Sequence, residues 1–211
     1  MKAKTLLILF VSGILYLVLF AACQKAGFRP EELERIEDGL PDQPMRLYTL
    51  FQESDSLFLR EEARQIRKRD LNKPTLELLK KRMLATVTDT LNPGVGLAAP
   101  QIGVGVRMIC VQRFDREGEP FECYLNPNIE FYGDSINSGP EGCLSVPGFR
   151  GRVDRSHNIT LAHLGWDGDM KNEEIEGFTA VIFQHEIDHL NGIFYFDRIF
   201  NGFQSLSVVN E

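Results

Sequence analysis

The chain has 211 residues, of which 43% are hydrophobic and 25% charged, with a formal net charge of −7. That composition is ordinary for a soluble globular domain and excludes collagen-like, coiled-coil, disordered and multi-span membrane classes. Four cysteines are too few for a disulfide scaffold, and the acidic balance argues against non-specific nucleic-acid binding, so no nucleic-acid partner is expected.

The apolar residues are unevenly spread. Residues 1–22 read MKAKTLLILFVSGILYLVLFAA: two lysines, then an apolar run broken by Ser12 and Gly13, ending in small residues. These are the parts of a secretory leader. The junction Ala21-Ala22-Cys23 resembles a bacterial lipoprotein signal, which implies a lipidated Cys23 as the new N-terminus, although Phe20 stands where such signals usually carry leucine. An uncleaved anchor is the alternative, because the run approaches the ~20 apolar residues that span a bilayer, and a soluble secreted form is the third reading. Both leading readings give an exported, membrane-tethered protein. Removing residues 1–22 with Lys2 and Lys4 takes the net charge from −7 to −9.

Residues 23–44 hold Pro30, Pro41 and Pro44 among many charges and read as a tether, partly helical over 31–37. The folded domain is expected from 45 to 211. Residues 58–70 are highly charged and read as a solvated helix face or loop. From 75 to 88, Leu76, Leu79, Met83, Leu84 and Val87 keep helical spacing, with Thr75 as N-cap. Residues 104–113 read as a strand, 121–125 as its return, 158–164 as another strand, and 173–175 as the start of its partner. A long helix is expected over 178–190, stopped by Asn191-Gly192. The fold class is α+β, antiparallel strands packed around one central helix. Cys110 and Cys123 fall on the expected hairpin, where a disulfide is one option, but their offset register favours free thiols.

Three segments carry chemistry. His185 and His189 are spaced i, i+4 on the long helix, so both imidazoles can reach one metal ion, and Glu186 stands beside the first. Alone, such a motif also arises as a solvated charge pattern. Phe178, Val181, Ile182, His185 and His189 share one face, so the histidines point into an apolar interior, where imidazoles need a partner such as a metal. The same apolar residues also suit plain core packing. Cys143 lies among glycines and prolines. It would complete a Cys-His-His set with a fourth position open for water, or else sit as a small buried hydrophobe. The third segment, GVGLAAPQ at 94–101, is suited to close backbone approach and lacks the features of a nucleotide-binding loop.

Together, GVGLAAPQ with Gly96 central, EGCLS at 141–145 and HEIDH at 185–189 resemble the three ordered motifs of the peptide deformylase family. The resemblance covers roughly residues 45–200. It implies a deformylase-like α+β fold and metal ligation by Cys143, His185 and His189. The metal that the resemblance implies is ferrous iron, with zinc, nickel or cobalt able to substitute. The implied reaction is hydrolysis of the formyl group from N-formylmethionyl peptides, releasing formate, with Glu186 as general acid/base on a metal-bound water. Gln101 and the Leu144 backbone N–H match the family's oxyanion donors. Gly96 matches the backbone against the peptide, and Val95, Phe178, Val181 and Ile182 the methionine pocket. Arg150 matches a substrate-side arginine, and Asp188 is a candidate partner for Arg155.

An export-type leader departs from a family that usually acts on chains leaving the ribosome, so exported or external formyl peptides become candidate substrates. A ferrous thiolate site outside the cytoplasm would meet oxidants, which makes a low-oxygen niche or a zinc form an option. Two rivals remain: a metallopeptidase using the same helix motif, and a tethered non-catalytic binder of formyl peptides. Glu186 speaks against the second, because a dead site needs no proton-transfer group.

Overall fold

The computed structural model describes residues 27–199 and the short strand β8, Ser207–Val208; the expected leader, residues 1–22, and Cys23 lie outside them. The helices are α1 (Pro30–Glu37), α2 (Glu53–Leu59), α3 (Pro74–Val87), α4 (Gly177–Leu190) and α5 (Tyr195–Ile199). The strands before β8 are β1 (Gly96–Ala98), β2 (Met108–Gln112), β3 (Phe121–Tyr132), β4 (Ile136–Gly142), β5 (Phe149–Ser156), β6 (Asn158–Leu164) and β7 (Met170–Glu176). They form two antiparallel sheets, β1-β2-β3-β6-β7 and β4-β5-β8.

The larger sheet is covered on both faces, which is why β2 reads as an unbroken apolar run. Met108 and Cys110 join Leu76, Leu79, Met83 and Val87 of α3 in one core. Ile109 and Val111 join Ala180, Phe183, Ile187 and Leu190 of α4 in the other. The central helix therefore lies against the sheet along its apolar stripe. It stops at Gly192, whose φ of +68° suits glycine, and the Ile193 N–H returns 2.9 Å to the Asp188 carbonyl. α3 begins with Pro74 in its first turn and Lys73 at the N-cap, two residues before the expected Thr75 cap, because proline's missing N–H has no cost there.

Two expectations are corrected. The segment read as a tether is fixed to the fold from α1 onward. Ile36 is fully buried in the α3 core, and Arg82 of α3 donates to the carbonyls of Arg35, Ile36 and Asp38 at 2.9, 3.0 and 3.0 Å, satisfying the end of α1. Glu32 is buried against Arg64 and accepts the Gly105 N–H at 3.0 Å. The charged run that follows α2 is likewise tied in, with Ala63 and Ile66 buried. Second, Cys110 and Cys123 are not free thiols. They stand directly opposite in the β2–β3 register, with Cα atoms 4.1 Å apart, and form a disulfide. The expected offset vanishes because β3 begins at Phe121 opposite Gln112. Closing so short a loop restricts the unfolded chain by about 3 kcal/mol. The double variant Cys110→Ala/Cys123→Ala should lose at least that in urea unfolding, and an unchanged midpoint would contradict it.

Candidate metal centre

Helix α4 and the turn after β4 bring together the donors that the sequence separates by more than forty residues. The ligand atoms of Cys143, His185 and His189 lie within 4.8 Å of one another, with Cys143 Sγ 3.2 Å from His189 Nε2. A thiol and two imidazoles at one point form a donor set for a first-row divalent ion with one position left open. Cys143 is only partly buried and its sulfur faces the histidines, so plain packing does not describe it. His189 is buried, and that burial holds its imidazole well below the usual range, in the neutral form a metal ligand needs.

A buried ion network orients the donors. His185 Nδ1 lies 2.8 Å from Glu141 Oε2, leaving its other nitrogen for the centre. Arg155 reaches both oxygens of Glu141, at 2.8 and 3.0 Å, and Asp188 at 2.6 Å; Arg198 closes on Asp188 from the other side. The expected Arg155–Asp188 pair is therefore present, within a larger network. Burial opposes the charge on Glu141, but the hydrogen bonds from His185 and Arg155 outweigh it and hold the carboxyl at about 2. Burial also opposes charge on His185, and Cys143 and Glu141 outweigh it, raising that imidazole well above its usual range. A cation held by Cys143, His185 and His189 would take the place of that proton.

Gln101 lies within the 3-10 turn Ala99–Ile102 that directly follows β1. Its Oε1 accepts the Ala98 N–H at 2.9 Å, and its Nε2 lies 3.2 Å from Ser145 Oγ and 3.6 Å from Cys143 Sγ. The Leu144 N–H has no acceptor among the described residues. Glu186 is 4% exposed, and its Oε2 has no hydrogen-bond partner among the described residues. Burial pushes its carboxyl up to about 7. Gly96 passes directly over it: a Cβ there would stand 2.8 Å from Ile182 Cγ2 and 2.9 Å from the Glu186 carboxyl carbon. Gly96→Ala should therefore displace Glu186 and cut kcat at least tenfold with the fold retained; wild-type kcat would show that the close approach is not needed.

These groups open on a cleft of about 1150 Å³. Its walls are two strands at sheet edges among the described residues: β1, with Gly96 and the preceding Gly94 and Val95, and β4, with Pro140, Glu141 and Gly142. Phe178, Val181 and Ile182 form an apolar end, and Leu144 and Arg150 also line it. Phe178 is 55% exposed because α4 begins at the cleft mouth, so the apolar stripe is core at Ile182 and cleft wall at Phe178.

Residues 48–203 match the polypeptide deformylase family. The chain belongs to that family. A peptide deformylase of Desulforudis audaxviator is 42% identical over 156 residues, covering 73% of this chain and 94% of the relative. One from Agrobacterium fabrum is 43% identical over 119 residues, covering 56% and 68%. Among solved structures, class I type b peptide deformylase of Acinetobacter baumannii with Met-Ala-Ser bound superposes with a TM-score of 0.66 at 33% identity, covering 75% of this chain and 99% of that one. The Thermotoga maritima peptide deformylase gives 0.63 at 33%, covering 74% and 97%. The chain is accordingly a metal-binding hydrolase that removes the formyl group from N-formylmethionyl peptides.

In this deformylase Val95, Gly96, Gln101, Leu144, Arg150, Phe178, Val181, Ile182 and Glu186 line the same cleft as Cys143 and His185, and His189 joins those two donors. Sequence reasoning missed Glu141 as the orienting partner of His185, although it stands two residues before Cys143 in the second motif. It also missed Ser145, which accepts from the Gln101 amide, and Phe194, whose ring packs edge-on to His189 at 5.0 Å. No periodicity marks these contacts.

Proposed function

We propose that Glu186 moves the proton in this hydrolysis. The observation that carries it is a buried carboxyl, unpartnered among the described residues, beside the Cys-His-His donors and beneath Gly96. A divalent ion held by Cys143, His185 and His189, ferrous iron first with zinc, nickel or cobalt as substitutes, supplies Lewis acidity that polarises the formyl oxygen and makes water a better nucleophile. Glu186 takes a proton from the water as oxygen bonds to the formyl carbon. It returns that proton to the nitrogen as the carbon–nitrogen bond breaks, leaving formate and a free amine. A carboxyl titrating near neutrality suits both halves of that exchange. The Gln101 Nε2 donor and the Leu144 N–H stabilise the developing oxyanion, each worth about 10²–10³ in rate.

The peptide lies extended between β1 and β4, because each edge offers unpaired backbone groups. Val95, Phe178, Val181 and Ile182 take the methionine side chain, Gly96 brings backbone to the peptide, and Arg150 stands on the substrate side. The leader and Cys23 support export and lipid tethering, with an uncleaved anchor as the alternative. No helix among the described residues is long and apolar enough to cross a membrane. Exported or external formyl peptides are then the substrates.

Formate release from formyl-Met-Ala-Ser, measured beside cleavage of unformylated peptides, tests the reaction. Deformylation alone is expected, and cleavage of internal amides would favour a metallopeptidase. Mass spectrometry of the membrane-extracted chain should find a lipid on Cys23, and an unmodified Cys23 behind an intact leader would favour the anchor.

A further inference from the structure

The catalytic turn is held from outside by α1, which precedes the family match at residue 48, and by a strap that runs into the start of that match. Arg35, in the last turn of α1, donates to the Gly103 carbonyl, which closes the Ala99–Ile102 turn. The Tyr48 N–H donates to the Gln101 carbonyl at 2.7 Å, and two residues on, the Leu50 N–H donates to the Ser145 carbonyl at 3.0 Å. One strap thus grips the backbone of both Gln101 and Ser145, the hydroxyl that meets the Gln101 amide.

The strap is itself pinned. Arg35 and Arg46 both stack on the Tyr48 ring, with guanidinium carbons 5.3 and 4.3 Å from its centroid. Asp55 is 1% exposed, grips Arg46 through two hydrogen bonds of 2.7 and 2.8 Å, and accepts the Thr49 N–H at 3.1 Å. Gly103, at φ +73°, lies so close that a Cβ would stand 2.7 Å from Tyr48 Cε1. Arg82 fixes the end of α1 from which Arg35 projects.

We propose that α1 and the strap are a positioning device for the Gln101 amide, with Arg35 as the positioning residue. The proposal rests on the reading of Gln101 as an oxyanion donor. A catalytic group displaced by about 1 Å can cost about 10²-fold in rate. Arg35 touches none of the groups lining the cleft, so its effect must pass through the turn.

The test is a double-mutant cycle on the full-length, metal-loaded protein, following kcat, KM for formyl-Met-Ala-Ser and metal content. Arg35→Met should lower kcat about tenfold, with KM and metal content unchanged. Arg35→Lys, which keeps a donor for the Gly103 carbonyl, should recover most of it. In a Gln101→Ala background, Arg35→Met should cost nothing further. Wild-type kcat in Arg35→Met, loss of metal with the activity, or an undiminished loss in the Gln101→Ala background would overturn the proposal. If Arg35→Met fails to fold, Arg35→Gln decides by the same cycle. Wild-type kcat in Gln101→Ala alone would instead overturn the reading of Gln101.

Discussion

Arg155→Met should destabilise the protein by about 3–5 kcal/mol and weaken metal binding about 10–100-fold. Arg155 is 5% exposed, and it joins Glu141, which orients His185, to Asp188 on the ligand helix α4. Methionine fills much of the same space but takes from Glu141 its arginine and from Asp188 one of two, leaving charge in the interior undercompensated. Glu141 would then recover a proton at higher pH. Its carboxyl is held at about 2 against an ordinary value of 4.5, so the stability it contributes is present above pH 4.5 and disappears as pH falls toward 2. Without Arg155 that folded value rises, and acid unfolding begins at higher pH. Urea unfolding across pH, with metal content measured in parallel, checks both effects. Unchanged stability and metal content would mean that the network contributes nothing to the centre.

Glu186→Gln should lower kcat by about 10²–10⁴ with metal content unchanged, since the amide matches the carboxyl in shape but cannot carry the proton. The Oε2 of Glu186 has no hydrogen-bond partner among the described residues, and burial, more than the neighbouring charges, raises its carboxyl to about 7. The substitution therefore breaks no pairing, and the variant should unfold no earlier than wild type. Glu141 offers the contrast. It is equally enclosed but fully engaged, so removing it should cost stability and metal together. One glutamate serves the reaction and the other the scaffold.

Much of this was legible in the sequence because the chemistry sits on regular elements. The i, i+4 histidines need only a helix, and the apolar stripe with Asn191-Gly192 delimits α4 to within one residue. The strand Asn158–Leu164 is clear for the same reason, its β-branched and apolar residues being bounded by turn signals. The β4–β5 hairpin was not legible. Its residues, INSGPEG and FRGRVDRS, are polar and glycine-rich because much of it is exposed and one edge borders the cleft. The docking of α1 was hidden in the same way, since it depends on Arg82 and Arg64, long polar side chains acting across more than thirty residues. The disulfide turned on register, which a shift of one residue in the strand boundary inverts.

The most direct test of the centre measures metal content and formate release together on wild type, Cys143→Ala and Glu186→Gln, each loaded anaerobically with ferrous iron. Wild type should bind one equivalent and release one formate per free amine formed. Cys143→Ala should lose both metal and turnover, and Glu186→Gln should keep its metal and lose turnover. Turnover in Glu186→Gln at the wild-type rate, or full metal content and activity in Cys143→Ala, would contradict the account.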